Sequence, residues 1–200
     1  MATFISHPLF GAGAAYMISP ARQGRRKFVL LSTLCQWLPD IDTFAYLFAI
    51  NESHPLGHRG FAHSLLFAAL VALCVVRCCY RQVSTASWRW WTLCSWFFLM
   101  TALHGIFDAM VFDSLGVAFF APFDTTRYQL PWQPLVDVPI VWSALQGQLW
   151  YAQLVECQFF GLLFAGWFVV MRLAGITRAR RPEQLPTPML AAAMVPQQDM

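Results

Sequence analysis

Long apolar stretches alternate with short polar ones along the chain. Because a membrane-spanning helix needs roughly 20 mostly apolar residues, we identify five candidate windows, at 4–20, 28–50, 61–80, 90–112 and 149–173. The first window is short and rich in glycine and alanine, and it lacks the basic start of a signal peptide, so we interpret it as a first helix. The pattern predicts an all-α polytopic membrane protein with about five transmembrane helices.

Two segments depart from this pattern. The segment 113–148 is rich in proline and aromatic residues, and its apolar part, 115–123, is too short to span. We expect that part to be re-entrant or interfacial. Residues 177–200 are first basic and then proline-rich, which is typical of a disordered tail. Residues 1–176 are therefore expected to form the membrane-embedded helical domain.

The composition supports a membrane protein and excludes several soluble classes. Hydrophobic residues make up 58% of the chain and charged residues 12%, against about 25% charged residues in soluble proteins. So few charges cannot cover the surface of a soluble enzyme or form a nucleic-acid-binding face. The six cysteines contain no CxxC pair, so we expect them to pack between helices and not to form a zinc site.

The basic residues predict the orientation. Of 13 lysines and arginines, nine fall between the first and second windows, between the third and fourth, or after the fifth, and two more, Arg77 and Arg172, lie at the adjoining ends of the third and fifth windows. The positive-inside rule places these regions in the cytoplasm, which leaves only Arg59 and Arg127 on the opposite side. We therefore predict a multi-pass protein of the inner (plasma) membrane, with its N-terminus outside and its C-terminal tail in the cytoplasm.

Ionisable residues within and beside the apolar windows collect on the predicted outer side. An unpaired charge in lipid costs several kcal/mol, so such residues are functional candidates. The orientation was derived from lysine and arginine alone, so the collection of histidines and carboxylates on one side is independent evidence for a site there. The candidate metal ligands are Asp40, Asp42, His58, His63, His104, Asp108 and, more weakly, His7.

The spacing of these residues favours a shared site. His104 and Asp108 are four residues apart and share one face of a helix. Asp40 and Asp42 are two apart and point to nearly opposite sides of an ideal α-helix, but Pro39 disfavours helical geometry at the residue before it. A break there would turn both carboxylates inward.

The mixture of imidazole and carboxylate suits zinc, manganese or iron better than calcium, and zinc or manganese is the preferred prediction. Seven candidates exceed the needs of one tetrahedral ion, so we expect one or two divalent ions. A proton or ion relay, or hydrogen bonding between packed helices, would use the same residues.

Three motifs carry a resemblance to a known family. The runs at 38–42 (LPDID), 58–64 (HRGFAHS) and 104–108 (HGIFD) resemble the bacterial membrane-bound metal-dependent hydrolase family, which includes a LexA-regulated inner-membrane protein. The family pattern HRGxTHS is matched except at Ala62, where the family has threonine. The resemblance covers roughly residues 5–127 and implies a metal-dependent hydrolase of the bacterial inner membrane.

In a hydrolase the metal polarises the scissile group, and Asp40 or Asp42 is a candidate general base. Arg59 is a candidate clamp for a phosphate or carboxylate, with capping of its turn as the alternative role. The depth of the site suggests a lipid or lipid-linked substrate and no nucleic acid. A metal or proton transporter, and a noncatalytic protein with a structural metal site, remain alternatives, and the oligomeric state stays open.

Overall fold

The computed structural model describes residues 5–19, 24–112, 114–136 and 145–173, and their side chains except at 145–149. Those residues form five α-helices, two 3-10 helices and no β-strand, which confirms the all-α class for this part of the chain. The helices are α1 (Ser6–Ile18), α2 (Arg25–Trp37), α3 (Leu65–Cys79), α4 (Trp88–Asp108) and α5 (Leu145–Leu173). The predicted tail at 177–200 lies outside the described residues.

Two helices are long and apolar enough to be candidate membrane spans, Trp88–Asp108 and Trp150–Leu173. Helices α1 and α2 have 13 residues each and α3 has 15. At 1.5 Å per residue they are about 20–23 Å long, less than the roughly 30 Å of a bilayer core. The structure therefore supports two candidate spans, and five transmembrane helices remain a prediction.

The α-helix in the second apolar window ends near Pro39, as predicted, but a 3-10 helix follows in place of extended backbone. Helix α2 ends at Trp37 and a first 3-10 helix, Leu38–Phe48, follows directly. Leu38 keeps helical dihedrals, with φ −59° and ψ −36°, so the chain tightens and does not become extended. With three residues per turn, Asp40 and Asp42 are separated by about 120° around the axis, compared with about 160° in an α-helix.

The third window also begins with a tight turn. A second 3-10 helix, Phe61–His63, precedes α3. Ser64 then caps α3, because its Oγ accepts a hydrogen bond of 3.1 Å from the backbone N–H of Phe67. The serine that ends the HRGFAHS motif therefore fixes where α3 starts. His63, the last residue of the second 3-10 helix, directly precedes this cap.

The chain forms two compact units, Met1–Leu162 and Leu163–Met200. The described part of the second unit is the end of α5. The core of the first lies among α2, α3 and α4. All six cysteines are free thiols, and Cys35 and Cys94 pack in this core, whereas Cys74, Cys78 and Cys157 are exposed and do not pack between helices as predicted. The core consists of Cys35, Val71, Ala72, Val76, Tyr80, Trp90, Cys94, Phe97 and Met100.

The segment 115–123, predicted to be re-entrant or interfacial, is irregular backbone that is tied to the rest of the first unit. Val117 and Tyr128 exchange two backbone hydrogen bonds of 2.9 Å. The N–H of Ala118 donates to the carbonyl of Arg59 at 3.0 Å. Val117 and Ala118 are buried, so this segment covers the loop that carries Arg59.

Candidate metal centre

The seven residues predicted as metal ligands lie in one cluster at one end of the helices α1–α4. The start of α1 supplies His7, the first 3-10 helix supplies Asp40 and Asp42, and the second ends at His63. The remaining members are His58 in the preceding connection and His104 and Asp108 at the end of α4. Helices that alternate in direction bring the starts of α1 and α3 together with the ends of α2 and α4.

Four of these side chains form the centre of the cluster. His104 Nε2 lies 3.1 Å from His63 Nε2 and 3.3 Å from Asp40 Oδ1. Asp108 Oδ2 lies 3.3 Å from His63 Nε2 and 4.0 Å from His104 Nε2. The four ligand atoms are all within 4.8 Å of one another, and no side chain of the four is more than 4% exposed. Ligands of one zinc ion, each about 2.0–2.2 Å from the metal, have similar separations.

The contacts behind the two histidines indicate where their protons lie. His104 Nδ1 is 2.6 Å from the carbonyl oxygen of Gln36, which only accepts hydrogen bonds, so this nitrogen carries the proton. His63 Nδ1 is 2.9 Å from Asp42 Oδ2 without the alignment of a hydrogen bond, and a carboxylate at this distance still favours a proton on the nitrogen facing it. In the neutral rings, both Nε2 atoms then present lone pairs to each other and to two carboxylates.

The charges of the cluster are not balanced by its own residues. Asp40, Asp42 and Asp108 are carboxylates, and the guanidinium of Arg59 contacts one of them, Asp108. Three negative charges and one positive charge leave −2 when the histidines are neutral. Because an uncompensated buried charge is strongly unfavourable, the cluster calls for a cation, either a divalent metal or protons on the histidines.

Asp42 occupies a different position from Asp40. Its Oδ1 lies 2.7 Å from His58 Nδ1, and its Oδ2 accepts a 3.1 Å hydrogen bond from the backbone N–H of Arg59. The same Oδ2 faces His63 Nδ1. Asp42, His58 and His63 form a second group with metal-binding capacity, but here every carboxylate oxygen already faces an N–H group.

Arg59, predicted as a substrate clamp, contacts a candidate ligand. Its Nε donates to Asp108 Oδ2 at 3.1 Å, and both side chains are buried. Arg59 has a positive φ of 61°, in the left-handed region that residues other than glycine rarely adopt. A Cβ on Gly60 would lie 2.2 Å from the carbonyl oxygen of Pro55, so no other residue fits there.

Two residues with roles at the site were missed by sequence reasoning. Gln36 contributes its backbone carbonyl to His104, and no side-chain pattern signals a backbone contact. Arg127 donates through Nη1 to the carbonyls of His58 at 3.1 Å and Gly116 at 3.2 Å, and through Nη2 to that of Glu52. Burial lowers the pKa of Arg127, while the Glu52 carboxylate opposes that shift. The one feature of the sequence that pointed to Arg127 was that it is one of two basic residues predicted on the outer side.

Two further ionisable residues lie outside the cluster. His54 is exposed, and its Nδ1 accepts from the backbone N–H of Leu56 at 3.1 Å. Glu156 of α5 is buried and accepts a hydrogen bond from the Ser6 hydroxyl. Neither residue belongs to a group of three or more potential metal ligands among the described residues.

Comparison with known proteins supports the membrane location. No solved structure matches the chain. Inner membrane protein YbcI of Escherichia coli (strain K12) is 30% identical over 149 residues, which cover 72% of this chain and 80% of that relative. The family described as YdjM inner membrane protein matches residues 1–195. Both names state a location and no reaction. The chain therefore belongs to the YdjM family of bacterial inner membrane proteins.

Proposed function

We propose that this inner membrane protein binds a divalent metal ion through Asp40, His63, His104 and Asp108 and uses it to hydrolyse an ester or phosphoester. One observation carries the proposal. Four atoms that can accept protons, from three elements, lie together in a buried space: the Nε2 atoms of His63 and His104 are 3.1 Å apart, and they lie 3.3–4.0 Å from the facing oxygens of Asp40 and Asp108. A shared cation is the arrangement that stabilises them, because lone pairs at these distances otherwise repel.

The chemistry of the ligand set supports a catalytic ion. Structural zinc sites are built mainly from cysteine, whereas catalytic sites use histidine with carboxylate. This chain has six cysteines, and none belongs to the described metal-binding groups. A divalent ion bound there supplies Lewis acidity that polarises a carbonyl or phosphoryl oxygen. Zinc, manganese and iron all accept this mixture of nitrogen and oxygen.

The residues around the four ligands have separate roles in this proposal. Asp42 orients His63 from behind and holds His58, while Arg59 fixes Asp108 and offsets part of its charge. Of the two carboxylates considered as general base, Asp40 is better placed. Its Oδ2 has no hydrogen-bond partner among the described residues, whereas both oxygens of Asp42 face N–H groups.

An exposed apolar face on the first 3-10 helix supports a lipid or lipid-linked substrate. Phe44, Leu47 and Phe48 are exposed on the same helix that carries Asp40. Apolar side chains beside a polar centre suit a substrate with an acyl chain and a polar head. In the proposed orientation, with the N-terminus outside, this end of the helices lies at the outer face of the inner membrane.

A noncatalytic structural metal site is the second candidate, and burial favours it. Catalytic sites keep one position open to solvent or substrate, yet the four central side chains are at most 4% exposed. A metal or proton transporter is less well supported. A transporter needs a second polar binding site further along its route through the membrane. The two metal-binding groups in the described part of the chain share His63 and form one cluster.

Metal analysis of the purified protein, followed by a lipid and phosphoester hydrolysis screen, tests the proposal. His104→Gln and Asp108→Asn should lower the metal content and abolish hydrolysis, because each removes a ligand with little change of volume. Asp124→Asn is the matched control, since Asp124 is exposed and bonds only its own loop. Full metal content in both ligand variants would overturn the site. Metal binding without hydrolysis in the parent would favour the structural role.

A further inference from the structure

One side of the cluster contains buried polar atoms that the four central ligands do not use. His7 Nδ1 and Nε2, both side-chain amide atoms of Gln36 and Asp108 Oδ1 have no hydrogen-bond partner among the described residues. All three side chains are 0% exposed. A buried polar group without a hydrogen-bond partner is unfavourable, so a concentration of such groups indicates a place for a ligand.

The carboxylate of Asp108 faces histidines on two sides. Its Oδ2 lies 3.3 Å from His63 Nε2, in the central group. Its Oδ1 lies 3.5 Å from His7 Nε2, which is longer than an ordinary hydrogen bond of about 2.7–3.2 Å. This is the geometry of a carboxylate that bridges two cations, each with its own histidine.

Gln36 lies next to the same side of the cluster. Its carbonyl contacts His104, whose ring centroid is 4.0 Å from that of His7. On α1, Gly11 is one turn after His7, and a Cβ there would lie 2.9 Å from Gln36 Cγ. The absence of a side chain at Gly11 therefore lets the buried amide of Gln36 lie against α1 close to His7.

We propose that a second divalent cation binds between His7 Nε2 and Asp108 Oδ1, with Asp108 bridging it to the first ion and the Gln36 amide oxygen beside it. The inference rests on the proposed function for the first ion. Two ions that share a carboxylate lie about 3.5–4 Å apart. The neighbouring His7 and His104 rings, tilted by 30° with centroids 4.0 Å apart, must then be neutral, which suits two imidazoles whose Nε2 atoms each face a cation.

The alternative group of Asp42, His58 and His63 is less suited to a second ion. Both Asp42 oxygens face the Nδ1 atoms of the two histidines, at 2.7 and 2.9 Å. A metal there would displace both protons. It would also require His63 to bind two ions through one ring, since His63 Nε2 already belongs to the central group.

Manganese loading of the full-length protein in detergent tests the second position. We expect two manganese ions per chain and a spin-coupled pair in the electron paramagnetic resonance spectrum. His7→Phe keeps a ring against His104 but removes the ligand nitrogens, so it should retain one ion with the six-line spectrum of an isolated Mn²⁺. His54→Phe, at an exposed histidine, is the matched control and should retain the coupled pair.

The outcomes separate this inference from the proposed function. A parent that binds no manganese or zinc would overturn both. A parent with one uncoupled ion, unchanged in His7→Phe, would overturn the second site and leave the first in place. Loss of both ions in His7→Phe would also overturn it, because His7 would then belong to the first site. Gln36→Leu should weaken the second ion at least about tenfold, and unchanged affinity would remove Gln36 from the site.

Discussion

The substitution Asp42→Asn distinguishes an orienting carboxylate from a metal ligand. Asparagine keeps the shape of the side chain but replaces one accepting oxygen with a donating NH₂ group. In the structure, Asp42 faces His58 Nδ1, His63 Nδ1 and the N–H of Arg59 at 2.7, 2.9 and 3.1 Å. The NH₂ group meets His58 if it takes the Oδ1 position, or His63 and the Arg59 N–H if it takes the Oδ2 position. In either case the negative charge behind His63 is lost, which lowers the basicity of that ring.

The expected loss in metal affinity is about 10–100-fold, which is typical when a carboxylate behind a metal-binding histidine is removed. This corresponds to about 1.4–2.7 kcal/mol of binding free energy. Asp40→Asn should cause a larger loss, because Asp40 Oδ1 lies in the central group, 3.3 Å from His104 Nε2.

A zinc competition titration with a chromophoric chelator, on protein purified in detergent, measures the two affinities. Asp124→Asn provides the matched control in an exposed loop, and its dissociation constant should equal that of the parent. An unchanged dissociation constant in Asp42→Asn would refute the orienting role. A loss of zinc affinity as large as that in Asp40→Asn would show that Asp42 binds the metal directly, and the site would then include the group around His58.

Three further predictions concern stability and topology. In the metal-free protein, Arg59→Ala leaves the buried Asp108 without its ion-pair partner and should lower the free energy of unfolding by about 3–5 kcal/mol; chemical denaturation of the metal-free protein that shows no change would contradict the buried pair. Ser64→Ala removes the cap of α3 and should cost about 1 kcal/mol, seen as a lower Tm, with an unaltered Tm arguing against the cap. A reporter fused after Arg181 should be active in the cytoplasm and one inserted near Asn51 outside, and the opposite pattern would reverse the proposed orientation.

The apolar windows were sufficient to locate the helices of the described chain but not their lengths. A run of apolar residues is a local property, and each of the five windows overlaps one α-helix. The ends depend on local events inside the windows, such as the change to a 3-10 helix after Trp37 and the cap at Ser64. Both events shorten helices that hydropathy alone would extend to full spans.

The sequence also indicated which side chains belong together. Ionisable groups in apolar segments are energetically unfavourable, which marks them as functional candidates. The positions of the basic loops predicted that these groups lie at one end of the helices. The structure brings Asp40, His63, His104 and Asp108 within ligand distance of one another. It also places Arg59 against Asp108, a contact that the expectation of a substrate clamp did not include.

Composition and spacing are properties of the chain, and they were enough to predict that it is helical and apolar and that its histidines and aspartates lie toward one side. The packing of the helices was needed to show that Asp40 faces His104 Nε2, that Asp42 faces the opposite nitrogen of His63, and that the carbonyl of Gln36 holds His104. The direction of individual oxygen and nitrogen atoms depends on how elements distant in sequence pack, and hydrophobic pattern carries no information about it.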